Sequence, residues 1–240
     1  MDNGCEVFAN LPKPSAGAAR FTVASEIATR KLGMLKGPVP RDLAWSFDAA
    51  SNHVGAEYII EEKVPGVRLG SVWNQWPRKS KYQLITQVVI IENTLTGLNF
   101  DMHGCIYFKD DLRSLSEERK EANIQSATTV IPDVFAGMGK HPSDYTRALG
   151  RNEIVYIKSH AIPRMNYYRS LEPQEHPEDG LALLTKYMKV APYLIPQSTK
   201  DEASNNVLMH PDLHLDDIFV DPETFQITRI VDWQPACVAS

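Results

Sequence analysis

Basic residues are in the minority: 25 Lys and Arg stand against 30 Asp and Glu, a net charge of -5. Without a cationic surplus the chain lacks the electrostatic footprint of nucleic-acid binding, which excludes nucleic acid as its main partner. Cysteine is scarce as well. Cys5, Cys105 and Cys237 are odd in number, far apart and without metal-site spacing, which argues for a reducing compartment and against a disulfide framework. No apolar run approaches the roughly eighteen residues of a membrane span. The opening segment MDNGCEVFANLPKPSAGAAR holds no apolar core of the kind a secretory signal needs. What remains is an ordinary globular composition, 43% hydrophobic and 23% charged over 240 residues, enough for one large domain or two small lobes.

The N-terminal quarter reads as strands with one helix. Glu6 to Leu11 has the pattern of a strand, stopped by Pro12 and Pro14. Thr22 reads as the N-cap of a helix running to about Leu35, with Val23, Ile27 and Met34 on one stripe and Gly37-Pro38 ending it. Two further strands, Asp42 to Phe47 and Ala56 to Glu61, flank a polar turn at Ser51-Asn52. Pro65-Gly66 then breaks the pattern and forms a hinge. Beyond it the character is helical. In Lys81 to Leu95, Leu84, Val88, Ile91 and Leu95 recur at helical spacing, and Ile85 and Val89 widen the face. A second helix is predicted over Leu181 to Ala191, a third over Tyr145 to Ile157, and a short hairpin over Leu98 to Lys109. Trp45, Trp73 and Trp76 are assigned to packing.

Chemistry is concentrated in the last forty residues. The apolar run Val207-Leu208-Met209 leads into His210-Pro211-Asp212-Leu213-His214-Leu215-Asp216-Asp217. A strand pair follows, Ile218 to Val220 and Ile227 to Val231, turning at Asp221-Pro222-Glu223 and ending on Asp232-Trp233. Phosphoryl transfer needs a group that orients and deprotonates the attacking hydroxyl, and ligands for the metal that holds the phosphates. In kinases one loop supplies the base two residues and a ligand seven residues after its His, and an acid after a hairpin supplies the second ligand. Asp212, Asp217 and Asp232 meet that spacing. The residues admit plainer readings too: a solvated acidic loop beside an edge hairpin, or a metallohydrolase set of His210, Asp212, His214 and Asp216. Pro211 within that alternating run and the lack of more distant ligands weaken the latter.

His210-Pro211-Asp212-Leu213-His214 with Ile230-Val231-Asp232-Trp233-Gln234 resembles the fungal aminoglycoside-phosphotransferase-like family, kinase-like and related to choline kinases, of the altered-inheritance-of-mitochondria type. Ala24-Ser25-Glu26-Ile27-Ala28-Thr29, Val54-Gly55-Ala56-Glu57-Tyr58-Ile59-Ile60 and Gly104-Cys105-Ile106-Tyr107-Phe108 agree with it, so the likeness covers nearly the whole chain in order. The resemblance implies an α+β, protein-kinase-like two-lobe fold: residues 1–64 as a partial N-lobe and 65–240 as a mostly helical C-lobe. It implies ATP and Mg²⁺ as cofactors and a small-molecule hydroxyl as acceptor. Asp212 would be the catalytic base, Asp217 and Asp232 the metal ligands, and Asn10, Glu26 and Glu62 the nucleotide-side residues. The implied location is cytoplasmic or mitochondrial.

Four departures accompany the likeness. Phe8-Ala9-Asn10 stands where the family reads Val-Ala-Lys, so the lysine that grips the nucleotide phosphates is replaced by Asn10. Asp217 replaces the metal-binding Asn of the loop. Glu61 stands where the family usually has Met at the edge of the adenine pocket. The chain also begins after the phosphate-covering hairpin and ends before the family's C-terminal helices. Together they predict a truncated or degenerate member with phosphotransfer reduced or lost; the other readings are a catalytically dead kinase-like binding or scaffold protein, or a gene fragment. An apolar patch beside the helix Lys81 to Leu95 is expected to stay uncovered.

Overall fold

The computed structural model describes residues 4, 6–12, 19–34, 37–100, 104–111, 134–136, 142–163, 174–194 and 206–239. In chain order the elements begin with β1 (Val7–Asn10), α1 (Ala19–Met34), β2 (Asp42–Ser46), β3 (Tyr58–Glu62) and β4 (Val67–Arg68). Next come α2 (Leu69–Val72), α3 (Arg78–Thr96), β5 (Asn99–Phe100), β6 (Ile106–Phe108) and β7 (Val134–Ala136). Two helices, α4 (Pro142–His160) and α5 (Pro177–Val190), precede β8 (Asn206–Met209), β9 (Ile218–Val220), β10 (Ile227–Ile230) and β11 (Cys237–Ala239). The fold is α+β, helices around several small antiparallel sheets.

The first sheet has the order β1-β3-β2, with Ile59 opposite Asn10 on one side and Trp45 on the other. Helix α1 is buried continuously from Val23 to Arg30, a wider burial than one apolar stripe predicts. Val23 and Ile27 pack on Ile59, with Phe47 and Phe108 against them, while Ala24 meets Tyr107. Being covered all round is what puts Ser25, Glu26, Thr29 and Arg30 out of water. The helix also starts at Ala19 rather than capping at Thr22. Ala19 and Arg20 are strong helix formers and carry it a turn further back.

The remaining sheets fold the chain back on itself. One has the order β10-β9-β4 and another β11-β8-β5. The hairpin expected over Leu98 to Lys109 does not form: β5 pairs with β8, and β6 pairs with β7. Gly104, between β5 and β6 at φ +129°, exchanges two backbone hydrogen bonds with Val238. Strands this short gain little from pairing locally, and Phe100 and Ile106 go instead into the main core. That core gathers Leu69, Leu84, Leu95, Leu208, Ile230 and Trp233. Trp76 is buried in it, edge-on to Phe225 at 4.8 Å, and Trp73 packs on its rim. Trp45 differs from expectation. It is 38% exposed, with the Lys31 ammonium 4.9 Å from its ring centre.

Helix α3 buries Leu84 and Leu95 and packs Val88 and Ile91 inward, leaving Tyr82, Ile85, Val89 and Ile90 exposed. Ile85, Val88 and Val89 line an open groove of about 570 Å³ shared with Trp73, Pro211 and Leu215. Helix α5 carries Pro177, Glu178 and Asp179 in its first turn and Lys189 in its last, charges that complement the helix dipole. It joins α4 through the Tyr187 hydroxyl, which donates to Thr146 O at 2.9 Å.

Gly66, at the predicted hinge, has φ +94°, and a Cβ there would lie 2.3 Å from Val220 O. Gly66→Ala combines left-handed strain with a backbone clash. It should destabilise the protein by about 1–3 kcal/mol, read as a lower urea midpoint at unchanged slope.

Candidate functional site

Strand β8 delivers His210 to the start of an eight-residue loop that runs to β9. The imidazole is placed by the core: Nε2–H donates to Val231 O at 3.2 Å, and the ring sits edge-on to Trp233 at 5.1 Å. A carbonyl can only accept, so Nε2 carries the proton; Nδ1 is buried without a hydrogen-bond partner. At the other end of the loop the backbone of Asp217 is tied twice. Its N–H donates to His214 O at 3.1 Å and its carbonyl accepts Val231 N–H at 2.9 Å. Its carboxylate Oδ2 accepts the His214 backbone N–H at 3.2 Å and lies 3.4 Å from His214 Nδ1. Nδ1 in turn accepts the Asp216 N–H at 3.3 Å. Burial raises the Asp217 carboxyl above its ordinary range, the His214 contacts oppose that, and the charge of Asp232 raises it further.

Asp212 is exposed on the turn between Pro211 and Leu213. Behind the loop, Gly70 N–H donates to Leu215 O at 3.1 Å, and the Asp216 carboxylate lies so close that a Cβ on Gly70 would fall 2.2 Å from Oδ1. Asp232 follows β10, is exposed, and takes φ +58°, a left-handed conformation that Asp adopts more readily than most residues. Its neighbours fix it, because Trp233 Nε1 donates to Ile230 O at 2.8 Å from a fully buried ring.

A second cluster lies in α1 and the first sheet. Arg30, 2% exposed, places Nη1 3.5 Å from Glu26 Oε1 and Nη2 2.8 Å from Asp42 Oδ1, and it pairs closely with Glu61 Oε2. Nη2 also donates to Pro40 O at 3.3 Å. The Asp42 contact is near in distance but misaligned for a directed hydrogen bond, and neither Asp42 oxygen has one. Lys31 adds a half-exposed cation 3.5 Å from Asp42 Oδ2. The guanidinium therefore answers three buried carboxylates. Burial pushes Glu26 from the usual 4.5 up to about 7; Arg30 opposes this, and Glu61, Asp232 and Asp42 reinforce it. Glu61 is raised for the same reasons, burial first.

Of the residues named from the sequence, Asp217 and Asp232 act on one another electrostatically, and Asp232 acts on Glu26. Asn10 is exposed at the end of β1. Glu62 is engaged by Arg229, whose Nε and Nη2 reach its Oε1 at 2.8 and 2.7 Å. Arg30 and Arg229 escaped the sequence reading. The four-residue spacing of Glu26 and Arg30 was a usable signal for the first; nothing local marks the second. Among the described residues, no group of three or more His, Cys, Asp or Glu side chains is arranged to hold a metal ion. Two carboxylates remain a fitting donor set for Mg²⁺, which keeps several waters and takes one or two carboxylates alongside substrate phosphates.

The raised Glu26 fixes a pH dependence. Its folded value of about 7 exceeds the unfolded 4.5, so the native state holds the extra proton between them. The stability it contributes is complete below about pH 4.5 and is lost as pH rises through about 7, by about 3 kcal/mol. Urea unfolding across this range should show stability falling with pH, and Glu26→Gln should flatten the fall.

No family model matches the chain. A subtelomeric hrmA-associated cluster protein of Aspergillus fumigatus is 30% identical over 98% of this chain and 54% of its own length. The altered inheritance of mitochondria protein 9, mitochondrial, of Candida tropicalis is 31% identical over 47% of this chain and 20% of that protein. Its namesake in Saccharomyces cerevisiae is 23% identical over 94% of this chain and 43% of that protein. The chain thus spans about half the length of the first of these relatives. Among solved structures, an aminoglycoside-3'-phosphotransferase of type VIII superposes with a TM-score of 0.54 at 16% identity, covering 98% of this chain and 66% of that one. The chain is a homologue of the fungal subtelomeric cluster and altered-inheritance-of-mitochondria 9 proteins, on the α+β kinase-like fold of an aminoglycoside phosphotransferase.

Proposed function

We propose that the chain is an aminoglycoside-phosphotransferase-like domain that binds ATP with Mg²⁺ and faces a small-molecule hydroxyl, with transfer reduced or lost. Residues 1–64 form its partial N-lobe and 65–240 its C-lobe. The observation that carries this reading is the tie between Asp217 O and Val231 N–H at 2.9 Å, which sets the loop acid beside the turn that bears Asp232. Asp212, exposed on the same loop, is the base that would accept the hydroxyl proton. Asp217 and Asp232 would hold the cation, which when bound neutralises phosphate charge. Glu26 and Glu62 lie on the nucleotide side, with Asn10 in the position of the absent lysine.

A second reading, a kinase-like binding protein without catalysis, is favoured by one observation. Glu26 is already paired with Arg30, and the residue at position 10 carries no charge. A lost lysine–phosphate contact is worth roughly 1.5–3 kcal/mol, so ATP should bind about one to two powers of ten more weakly than with lysine present. The surplus of carboxylates repels phosphates until a divalent cation intervenes.

Thermal-shift titration with ATP should therefore show stabilisation only with Mg²⁺ or Mn²⁺ present. Asp232→Asn should remove it, and Asn10→Lys should strengthen it more than Asp217→Asn does. Phosphate release or transfer above background would exclude the second reading, and tight ATP binding in chelator would exclude both.

A further inference from the structure

Three consecutive residues of β10 each reach a different point of the N-terminal half. Thr228 Oγ1 donates to Pro65 O at 2.6 Å, and Arg229 Nε donates to Glu62 Oε1 at 2.8 Å, with Nη2 in ion-pair contact with the same oxygen at 2.7 Å. Ile230 N–H donates to Pro38 O at 2.7 Å. The β9–β10 ladder shifts register between Ile227 and Arg229, the local irregularity that re-aims side chains away from regular pairing. Arg229 is braced further, since its Nη1 donates to Thr228 O at 2.7 Å. Glu62 is held from its own side as well: its backbone N–H donates to Arg41 O at 3.0 Å, and Arg41 Nε stands 4.0 Å from Oε2.

Immediately after these ties comes the left-handed Asp232, closed on its far side by Trp233. A non-glycine residue persists in that conformation only where its surroundings over-determine it. An ion pair on open surface contributes little, because two long side chains must be ordered for it. This pair is different. Both side chains are partly buried, at 31% and 22% exposure, and the planar guanidinium bonds the Glu62 carboxylate through Nε and the backbone carbonyl of Thr228 through Nη1, with Nη2 ion-paired to the same carboxylate oxygen.

We propose that Arg229 is a positioning residue whose ion pair with Glu62 fixes the turn carrying Asp232 against the N-terminal sheet. Glu62 then acts on the site through Arg229 and backbone rather than by touching nucleotide. The inference rests on the phosphotransferase-like reading only for its nucleotide measurement; the geometry of the turn stands apart from it.

The test uses the full chain as Arg229→Met, Glu62→Gln, the double variant and Arg229→Lys, with melting curves establishing that each folds. Hydrogen exchange at the Val231 amide and the Trp233 indole N–H, measured without ligand, should rise roughly five- to tenfold in each of Arg229→Met and Glu62→Gln and no further in the double variant. Arg229→Lys should recover part of the protection. Mn²⁺-dependent ATP affinity should fall by a similar factor, and ATP binding in chelator should not change between variants. Unchanged exchange at Val231 and Trp233, or additive effects in the double variant, would overturn the proposal and leave an ordinary stabilising contact. If the wild type binds no Mn²⁺-ATP, the functional reading fails while the exchange measurement still decides the role of Arg229.

Discussion

Both main-chain polar groups of Val231 are committed to the loop that begins twenty-one residues earlier. Its N–H is taken by Asp217 O and its carbonyl by His210 Nε2. A buried peptide group left unpaired is costly, so these two bonds leave little choice of where the loop can lie. Once they form, the two ends of the loop are held against the exit of β10. Asp217 and Asp232 become neighbours, and Asp212 is left exposed on the turn between the anchors. The Trp233 ring, buried under Ile230 and edge-on to His210, locks the same point from the core side. The site is thus an outcome of backbone satisfaction more than of attraction between its acidic side chains, which repel.

That repulsion is managed differently in the two clusters. At the loop, Asp232 faces water, while the buried Asp217 carboxylate is answered by the His214 N–H. Around Arg30, three carboxylates from α1, β2 and β3 are removed from water, and Arg30 alone meets all of them. Breaking a buried pair by deleting one partner typically costs several kcal/mol, though a well-packed apolar replacement of the whole set can be neutral. Arg30 therefore makes the sheet and helix interdependent: Glu26 belongs to α1, Asp42 to β2 and Glu61 to β3. In the family pattern the charge partner of this helix comes from a strand lysine. Here it comes from the next turn of the same helix, which explains how an uncharged residue at position 10 is compatible with a buried Glu26.

The β10 contacts tie the C-terminal hairpin to the first sheet and to the turn that follows it. Pro65 and Gly66 end the first sheet, and Gly66 lies against Val220 where only a residue without Cβ fits. Contacts from Thr228, Arg229 and Ile230 then cross the same junction, while Phe108 from β6 packs under α1. Glu62 depends on the same contacts. Its place in the family pattern put it beside the nucleotide, and its side chain is spoken for by Arg229.

By itself the sequence determined the main helices and the spacing of the acidic loop residues ahead of their hairpin. Periodicity placed α3 and α5 because a half-buried helix must repeat its apolar residues at helical spacing, and the apolar stripe of Val23 and Ile27 placed α1. The His–Asp–Asp spacing and the following hairpin were legible because loop length and turn residues are local properties. Tertiary structure alone decided what paired with what. Strands of two or three residues such as β5 and β6 carry too few side chains to specify a partner, so β5 joined β8 across more than a hundred residues. The burial of α1 on every side, the half-exposed Trp45, and the capture of Glu62 by Arg229 were likewise beyond local pattern. Each depends on which surfaces arrive from distant parts of the chain, and a charged side chain reads the same in sequence whether it meets water or a partner.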